Sequence, residues 1–225
     1  MGKGKIVISK DGPYLISGKI PLQKEISICD ENGIPIKWKK GKKYSSEEHC
    51  ALCRCGKSKS KPFCDGSHVA VKFNGTETAD DKTFLEQCQK IIGPNFILKD
   101  APSFCAVARF CHRGGDVWDN VQKSDVRSGK IAVADSCDCP SGRLVIYDKK
   151  TGKEIEPKFK PSISLIEDGG EKVSGPIWVK GKIPIESYSG KKYEIRNRVT
   201  LCRCGKSKNK PFCDGEHINA KFKAD

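Results

Sequence analysis

Two short stretches of the sequence each bring three cysteines and one histidine together. Residues 53–68 read CRCGKSKSKPFCDGSH and residues 202–217 read CRCGKSKNKPFCDGEH, so both have the spacing Cys-x-Cys-x8-Cys-x3-His. Thiolate sulfur and neutral imidazole nitrogen are the side-chain ligands that hold zinc and iron–sulfur clusters. The spacing therefore predicts two metal sites. Their candidate ligands are Cys53, Cys55, Cys64 and His68 in the first stretch and Cys202, Cys204, Cys213 and His217 in the second.

The two stretches belong to a longer internal repeat, which gives the chain its order. Leu52–Phe73 and Leu201–Phe222 differ at five of 22 positions. Further upstream, Gly12–Leu22 (GPYLISGKIPL) resembles Gly175–Ile185 (GPIWVKGKIPI), and their β-branched and aromatic residues predict β-strands followed by a Gly-Lys turn. Each metal site is therefore expected to follow a strand-rich lead-in. The first lead-in is the longer one and includes a predicted hairpin turn at Asn32-Gly33.

The segment between the copies, Asn74–Ser174, has mixed helix and strand signals. Asp80–Ile92 begins with capping aspartates and has apolar side chains at helical spacing, and Ala101–His112 predicts a second short helix closed by two glycines. Arg143–Tyr147 and Ser162–Ile166 predict strands. The whole chain is therefore expected to be α+β and strand-dominated. The predicted domains are 1–74, 75–174 and 175–225.

Cysteine number and compartment favour metal ligands over disulfides as the role of the clustered cysteines. The chain has 13 cysteines, an odd number that cannot pair completely within one chain. Residues 1–12 lack the apolar run of a secretory signal, and no stretch reaches the roughly 20 apolar residues of a membrane span. We therefore expect a protein without a membrane anchor, located in the cytoplasm, where thiols stay reduced.

The net charge of +14 permits an acidic protein or nucleic acid as a partner. The lysines are spread along the chain, however, and form neither an arginine-rich helix nor a basic stripe interleaved with aromatic residues. Nucleic acid is therefore the less favoured partner. The sequence also shows no substrate-binding motif and no organic-cofactor motif, so that we expect no enzymatic activity.

The two cysteine stretches resemble the CDGSH iron–sulfur family of mitoNEET-like proteins, whose pattern is C-x-C-x2-[ST]-x3-P-x-C-D-G-[STA]-H. The first copy matches this pattern throughout, and the second departs from it only at Glu216, which is not a ligand position. The resemblance implies one 2Fe–2S cluster per copy, held by three cysteines and one histidine. The implied ligand pairs, one pair per iron, are Cys53 with Cys55, Cys64 with His68, Cys202 with Cys204, and Cys213 with His217. A single zinc held by each Cys3His set is the competing interpretation.

Members of this family typically pair two copies through exchanged strands, so the resemblance also implies a monomer that contains an internal pseudo-dimer. The implied function is a soluble electron carrier or redox adaptor with pH-sensitive clusters, because a histidine ligand raises the reduction potential and titrates near neutral pH. The alternatives are transfer or sensing of iron–sulfur clusters and a zinc-based basic nucleic-acid module. Lysines around both loops would suit an acidic redox partner or apo-acceptor protein.

The middle segment contains a further group of cysteines, with the spacing Cys105-x5-Cys111 followed by a Cys-Pro pair at 139. It resembles a divergent ferredoxin-like module and implies a third iron–sulfur cluster of the 3Fe–4S or 4Fe–4S type. The implied ligands are Cys105, Cys111 and Cys139, with Cys137 as the candidate fourth. If residues 105–111 formed one helix, six residues would turn the chain through about 600° and the two sulfur atoms would face different directions. The third cluster therefore requires the chain to loop there.

Overall fold

The computed structural model describes residues 4–45 and 47–224. Its strands are β1 (Lys5–Ile8), β2 (Tyr14–Ser17), β3 (Leu22–Cys29), β4 (Pro35–Tyr44), β5 (His49–Leu52), β6 (Gln89–Ile92), β7 (Phe96–Asp100), β8 (Leu144–Asp148), β9 (Glu154–Ile155), β10 (Ser162–Asp168), β11 (Val173–Lys180), β12 (Ile185–Glu186) and β13 (Arg198–Leu201). Its helices are α1 (Ser67–Ala70), α2 (Phe84–Gln87), α3 (Val117–Gln122), α4 (Val126–Asp138) and α5 (Glu216–Asn219), with single 3₁₀ turns at Pro102–Phe104 and Phe110–His112. The fold is strand-dominated α+β, as the sequence predicts. None of the helices in the described residues has both the length and the apolar character that a bilayer crossing requires.

Two of the three sheets exchange a strand with each other. The first sheet has the order β12-β1-β2-β5 and the second the order β13-β11-β10-β3-β4. β3 follows β2 in the chain but pairs in parallel with β10, where Leu22 lies opposite Ile163. β12 follows β11 but pairs in parallel with β1, where Ile185 lies opposite Ile6. Because Leu22 and Ile185 are equivalent positions of the repeat, the two copies form a pseudo-dimer within one chain.

The predicted Gly-Lys turns direct this exchange. Gly18 and Gly181 have φ angles of +85° and +77°, a left-handed conformation that glycine adopts at no steric cost. A Cβ atom at residue 181 would also lie 2.5 Å from the backbone nitrogen of Pro161. Each turn therefore leads the chain out of its own sheet and into the sheet of the other copy.

The two exchanged sheets enclose one continuous core. Buried members of this core include Ile6, Ile8, Leu52, Leu165, Ile177 and Leu201, with Phe104 and Val145 from the middle segment. Burial of one aliphatic side chain of this size contributes roughly 1.5–3 kcal/mol. Each copy therefore depends on the other, and on the middle segment, for part of its core.

The middle segment builds the third sheet, β6-β7-β8-β9, against which α3 and α4 pack. Its own core consists of Leu98, Val117, Val121, Ala132, Leu144 and Ile146. α4 begins after Asp125, whose carboxylate accepts a hydrogen bond from the backbone N–H of Ser128 at 2.9 Å. The same helix ends at Asp138, directly before Cys139.

The helix predicted over residues 80–92 is mostly wrong. Only Phe84–Gln87 is helical, and its cap is Thr83 rather than an aspartate: the backbone N–H and the hydroxyl of Thr83 both donate to the Glu86 carboxylate at 2.7 Å. After Cys88, residues Gln89–Ile92 form β6, because they pair with β7 at the edge of the sheet. Pairing with β7 stabilises the extended conformation of this β-branched stretch. The alternative, an isolated short helix, is only marginally stable in water.

The helix predicted over residues 101–112 is also wrong, and two 3₁₀ turns with an irregular stretch between them take its place. In that stretch, residues 105–109, Val107 and Arg109 have left-handed φ angles of +53° and +60°, which an α-helix does not contain. The predicted hairpin at Asn32-Gly33 joins β3 to β4. The predicted strand Ser162–Ile166 is present as β10. It belongs to the second exchanged sheet and not to the sheet of the middle segment.

Candidate metal centres

The predicted ligands of the repeat form close pairs in the structure. In the first site the sulfur atoms of Cys53 and Cys55 are 3.7 Å apart, and the sulfur of Cys64 is 3.4 Å from Nδ1 of His68. In the second site the equivalent distances are 3.8 Å and 3.4 Å. The two copies therefore repeat their ligand geometry as closely as their sequence.

This geometry suits one tetrahedral metal atom per pair. Two sulfur atoms bound at ~2.3 Å to one tetrahedral metal lie about 3.8 Å apart. Over residues 4–45 and 47–224, no group of three or more Cys, His, Asp or Glu side chains is placed to hold one metal ion. The pairs fit a centre with two metal atoms, in which one atom binds the two cysteines and the other binds the cysteine and the histidine.

Buried arginines hold each Cys-x-Cys turn against the beginning of its lead-in. Arg54 lies between the first two cysteines, and its Nε donates to the carbonyl oxygen of Gly12 at 2.9 Å; Arg203 makes the equivalent bond to Gly175 at 2.9 Å. Both guanidinium groups are almost completely buried, so these charged hydrogen bonds are shielded from water. Neither arginine is among the predicted site residues, although the repetition of Arg54 as Arg203 within the same Cys-x-Cys motif is a signal in the sequence.

A short helix places the histidine of each site. In the first site the Asp65 carboxylate accepts hydrogen bonds from the backbone N–H groups of Ser67 at 3.0 Å and Lys59 at 2.7 Å. Hydrogen bonds from Ser67, first from its side chain, and from Lys59 lower the pKa of Asp65, so the carboxylate is ionised where α1 begins. α1 then carries His68 to within one turn of Cys64.

Backbone N–H groups point at the sulfur atoms of the second site. The N–H of Lys206 donates to the sulfur of Cys204 at 3.5 Å, and that of Gly215 to the sulfur of Cys213 at 3.4 Å. A hydrogen bond from Cys204 lowers the pKa of Cys202, and the same interaction raises the pKa of Cys204. Cys202 is therefore the member of this pair that loses its proton first, and a metal ion would displace the second proton.

The two Cys-x-Cys turns meet back to back. A Cβ atom at Gly56 would lie 2.6 Å from the carbonyl oxygen of Cys204, and a Cβ atom at Gly205 would lie 2.6 Å from that of Cys55. Both glycines also have positive φ angles, of +75° and +78°. The backbones of the two sites are therefore in direct contact across the pseudo-twofold axis.

The two histidines differ in their access to solvent. His68 is partly exposed and lines an open cavity of about 590 Å³. His217 is 3% exposed and lines a cavity of about 10 Å³, which residues 106–108 of the middle segment cover. A Cβ atom at Gly215 would come 2.3 Å from Cγ2 of Val107, which shows how closely this cover is packed. Burial lowers the pKa of His217 to about 4, so its imidazole keeps the neutral, metal-binding form in mild acid.

The cover over the second site is tied down by an ion pair. Arg109 Nη2 lies 2.8 Å from Oδ1 of Asp168 at the end of β10. The same carboxylate oxygen accepts the backbone N–H groups of Gly170 and Glu171, both at 3.0 Å. The contact of Arg109 with Asp168 could not be predicted from the sequence, because the two residues are far apart in the chain and only the tertiary fold brings them together.

The same irregular stretch brings the cysteines of the middle segment together. Cys105, Cys111 and Cys139 line one cavity. The left-handed residues between Cys105 and Cys111 turn the chain, so that both residues line this cavity, which a single helix would not allow. Burial, with the nearby charges of Cys139 and Cys105, raises the pKa of Cys111 to about 12. Three thiolates would repel one another in this cavity, and a cationic centre bound to all three removes that repulsion.

Cys137, the candidate fourth ligand, is placed elsewhere. Its sulfur lies 3.8 Å from the carbonyl oxygen of Ile155, and the cavity of the other three cysteines is lined without it. Arg198 of β13 donates from one nitrogen to the carbonyl oxygens of Cys137 and Cys139, both at 2.7 Å. This buried guanidinium satisfies the end of α4 and fixes Cys139 against the second copy.

Comparison with known protein families follows the same division of the chain. The family described as iron-binding zinc finger CDGSH type matches residues 11–69 and 174–218. The family described as divergent 4Fe-4S mono-cluster matches residues 91–149, which include the three-cysteine cavity. No curated protein and no solved structure matched the chain.

Proposed function

The chain is a tandem member of the CDGSH iron-binding family with a divergent 4Fe–4S segment between its two copies, and from this premise we propose that it is an electron carrier with three iron–sulfur centres. Each outer copy holds one 2Fe–2S cluster through three cysteines and one histidine. The observation that carries this proposal is the division of each ligand set into two pairs with the spacing of tetrahedral metal coordination.

The third centre is a 3Fe–4S or 4Fe–4S cluster bound by Cys105, Cys111 and Cys139. Support comes from the cavity that these three residues share and from the family match to the segment that contains them. Because Cys137 faces away from the cavity, the proposed cluster has three cysteine ligands.

Electron transfer is the role that the arrangement of the three sites supports best. The turns of the two outer sites touch each other, and the stretch 105–109 lines the third cavity on one side and covers His217 on the other. All three centres are therefore close neighbours, as a relay requires. We propose transfer of electrons to and from an acidic protein partner in the cytoplasm, with no catalytic reaction of the protein's own.

Transfer of whole clusters to an acceptor protein is the second candidate function. It is favoured by the open cavity beside His68, since a partly exposed ligand can be displaced by an incoming thiolate. Rapid, His68-dependent transfer to an apo-acceptor would support this function over simple electron transfer.

Iron and acid-labile sulfide analysis of aerobically purified protein, with EPR of the dithionite-reduced form, tests the proposal. We expect about seven or eight iron atoms per chain with visible absorption. A content of about four iron atoms per chain would support the two outer clusters and contradict the third. Colourless protein with stoichiometric zinc would overturn the iron proposal and support the zinc alternative.

Mild acid is expected to remove the two outer clusters in separate phases. The folded-state pKa of His217, about 4, lies below the value of about 6.5 for an unfolded histidine, so the stability that this residue contributes is complete above pH 6.5 and is lost as the pH falls towards 4. His68 is partly exposed to solvent, whereas His217 is buried. A stopped-flow jump to about pH 5, followed by visible absorbance, should therefore show a fast loss from the first site and a slow loss from the second. One phase with the full amplitude would contradict this.

Replacing both histidines by cysteine, His68→Cys and His217→Cys, tests the source of the pH dependence. Thiolate in place of neutral imidazole adds negative charge, so the reduction potential should fall. The fall of the potential with rising pH, expected of the wild type, should largely disappear because the titrating ligand is gone. Protein-film voltammetry between pH 6 and 9 measures both effects, and an unchanged pH slope would count against histidine ligation.

A further inference from the structure

Two adjoining cavities form one groove beside the histidine of the first copy, and the second copy contributes Gly205, Lys206 and Lys210 to it. The cavity beside His68, of about 590 Å³, and a second cavity of about 440 Å³ share the residues Lys72, Phe73, Asn74 and Thr76. The second cavity continues to Cys55 and to Gly205, where the two Cys-x-Cys turns meet. We call this continuous surface the first-copy groove. It runs from the exposed histidine ligand to the contact between the two outer sites.

The first-copy groove is strongly basic. Its lysines are Lys10, Lys57, Lys72, Lys206 and Lys210. The single carboxylate among the lining residues belongs to Asp11, and its Oδ1 already accepts the backbone N–H of Gly75 at 2.7 Å. The groove therefore presents positive charge that internal carboxylates do not neutralise.

The equivalent surface of the second copy differs in charge and in access. Lys72 corresponds to Lys221 in the repeat, so both surfaces carry a lysine at this position, but Lys221 lies outside the first-copy groove. Lys10 corresponds to Val173, which is buried. The histidine of the second copy is closed off by residues 106–108, whereas the groove leads directly to that of the first. Charge and access thus both favour the first copy.

We propose that the partner protein docks on the first-copy groove through an acidic surface, and that the second copy has no docking site of its own. This inference rests on the proposed function, because it names the surface through which the first cluster exchanges electrons. The positive lysines steer the acidic partner, and the groove places it against His68 and beside the turn of Cys55.

The test uses a matched pair of charge reversals in the full-length protein, Lys72→Glu and Lys221→Glu. Both lysines have left-handed φ angles, +47° and +45°, and both are exposed, so the two substitutions carry the same local cost. The probe is an acidic plant-type 2Fe–2S ferredoxin, immobilised for surface plasmon resonance. Lys72→Glu should weaken binding at least about fivefold and reduce its salt dependence, and Lys221→Glu should change binding less than about twofold. Lys72→Gln should give an intermediate loss.

Each other outcome is informative. Equal losses in the two variants would show attraction by net charge alone and would overturn the proposal, as would unchanged binding in both. Tighter binding of a 16-nucleotide RNA than of ferredoxin, lost with Lys72→Glu, would replace the acidic protein by nucleic acid. Iron content and the visible spectrum are measured on the same samples. Colourless protein would reject the proposed function. The binding measurement does not use the clusters as its signal, so its result would still support or overturn the proposed docking surface.

Discussion

Replacing Cys111 by serine is expected to lower the iron content from about seven or eight to about four atoms per chain and to leave the two outer clusters in place. Cys111 shares its cavity with Cys105 and Cys139, and the cavity is enclosed by residues of the middle segment alone. A serine hydroxyl is a poor ligand for iron, so the third cluster should be lost or fail to assemble. The visible absorbance that remains should have the spectrum and pH dependence of the outer clusters.

Cys137→Ser is the matched control for this substitution. Cys137 and Cys139 are two residues apart at the end of the same helix, but the sulfur of Cys137 faces the carbonyl oxygen of Ile155 instead of the cavity. The iron content of Cys137→Ser should equal that of the wild type. If this variant lost the third cluster and Cys111→Ser kept it, the proposed ligand set would be wrong.

Gly215→Ala is expected to destabilise the protein and the second site, because the added methyl group meets the cover of that site. Gly215 has a φ angle of +90°, and its Cβ would lie 2.3 Å from Cγ2 of Val107 in the cover of the second site. The left-handed conformation costs an alanine about 1–2 kcal/mol. Displacement of the packed cover should add roughly 1–3 kcal/mol. We therefore expect a lower midpoint of urea unfolding and faster cluster loss from the second site in acid.

The repeat supplies the control for this variant, Gly66→Ala. Gly66 is the equivalent residue of the first copy, with a φ angle of +86°, and nothing lies within 4 Å of the position of its Cβ. This variant should show only the conformational cost. Val107→Ala combined with Gly215→Ala should recover most of the extra loss, because it removes the clashing methyl group. Equal destabilisation of the two glycine variants would mean that residues 106–108 do not pack over His217.

The parts of the molecule that the sequence predicted well are those in which local spacing determines structure. The positions of Cys53, Cys55, Cys64 and His68 follow from a turn, a single bridge between Leu52 and Phe63, and a short helix, all within residues 52–70. The lead-in strands could be predicted for the same reason, because their β-branched residues pair with the strands that directly precede the ligand loops. A repeated motif also made each copy a check on the other.

The predictions that failed are those in which distant residues determine structure. Residues 105–109 have a sequence that a helix would accept, but Arg109 binds Asp168 and Val107 packs on Gly215, and these contacts hold the chain in a left-handed turn. The strand β6 likewise forms because β7 is available beside it. Neither partner can be read from the local pattern, and so the covering of His217 and the looping that the third cluster requires became visible only in the tertiary structure.

The exchange of β3 and β12 has a further consequence. In a symmetric homodimer a single gene change alters both halves at once, so an entrance on one half is also an entrance on the other. Here the two halves have separate sequences. The position of Lys10 is occupied in the second copy by the buried Val173, and the buried His217 is equivalent to the partly exposed His68. Because both copies lie in one chain, a substitution in one copy leaves the other unchanged, so the two histidine sites can differ in access where those of a symmetric homodimer cannot.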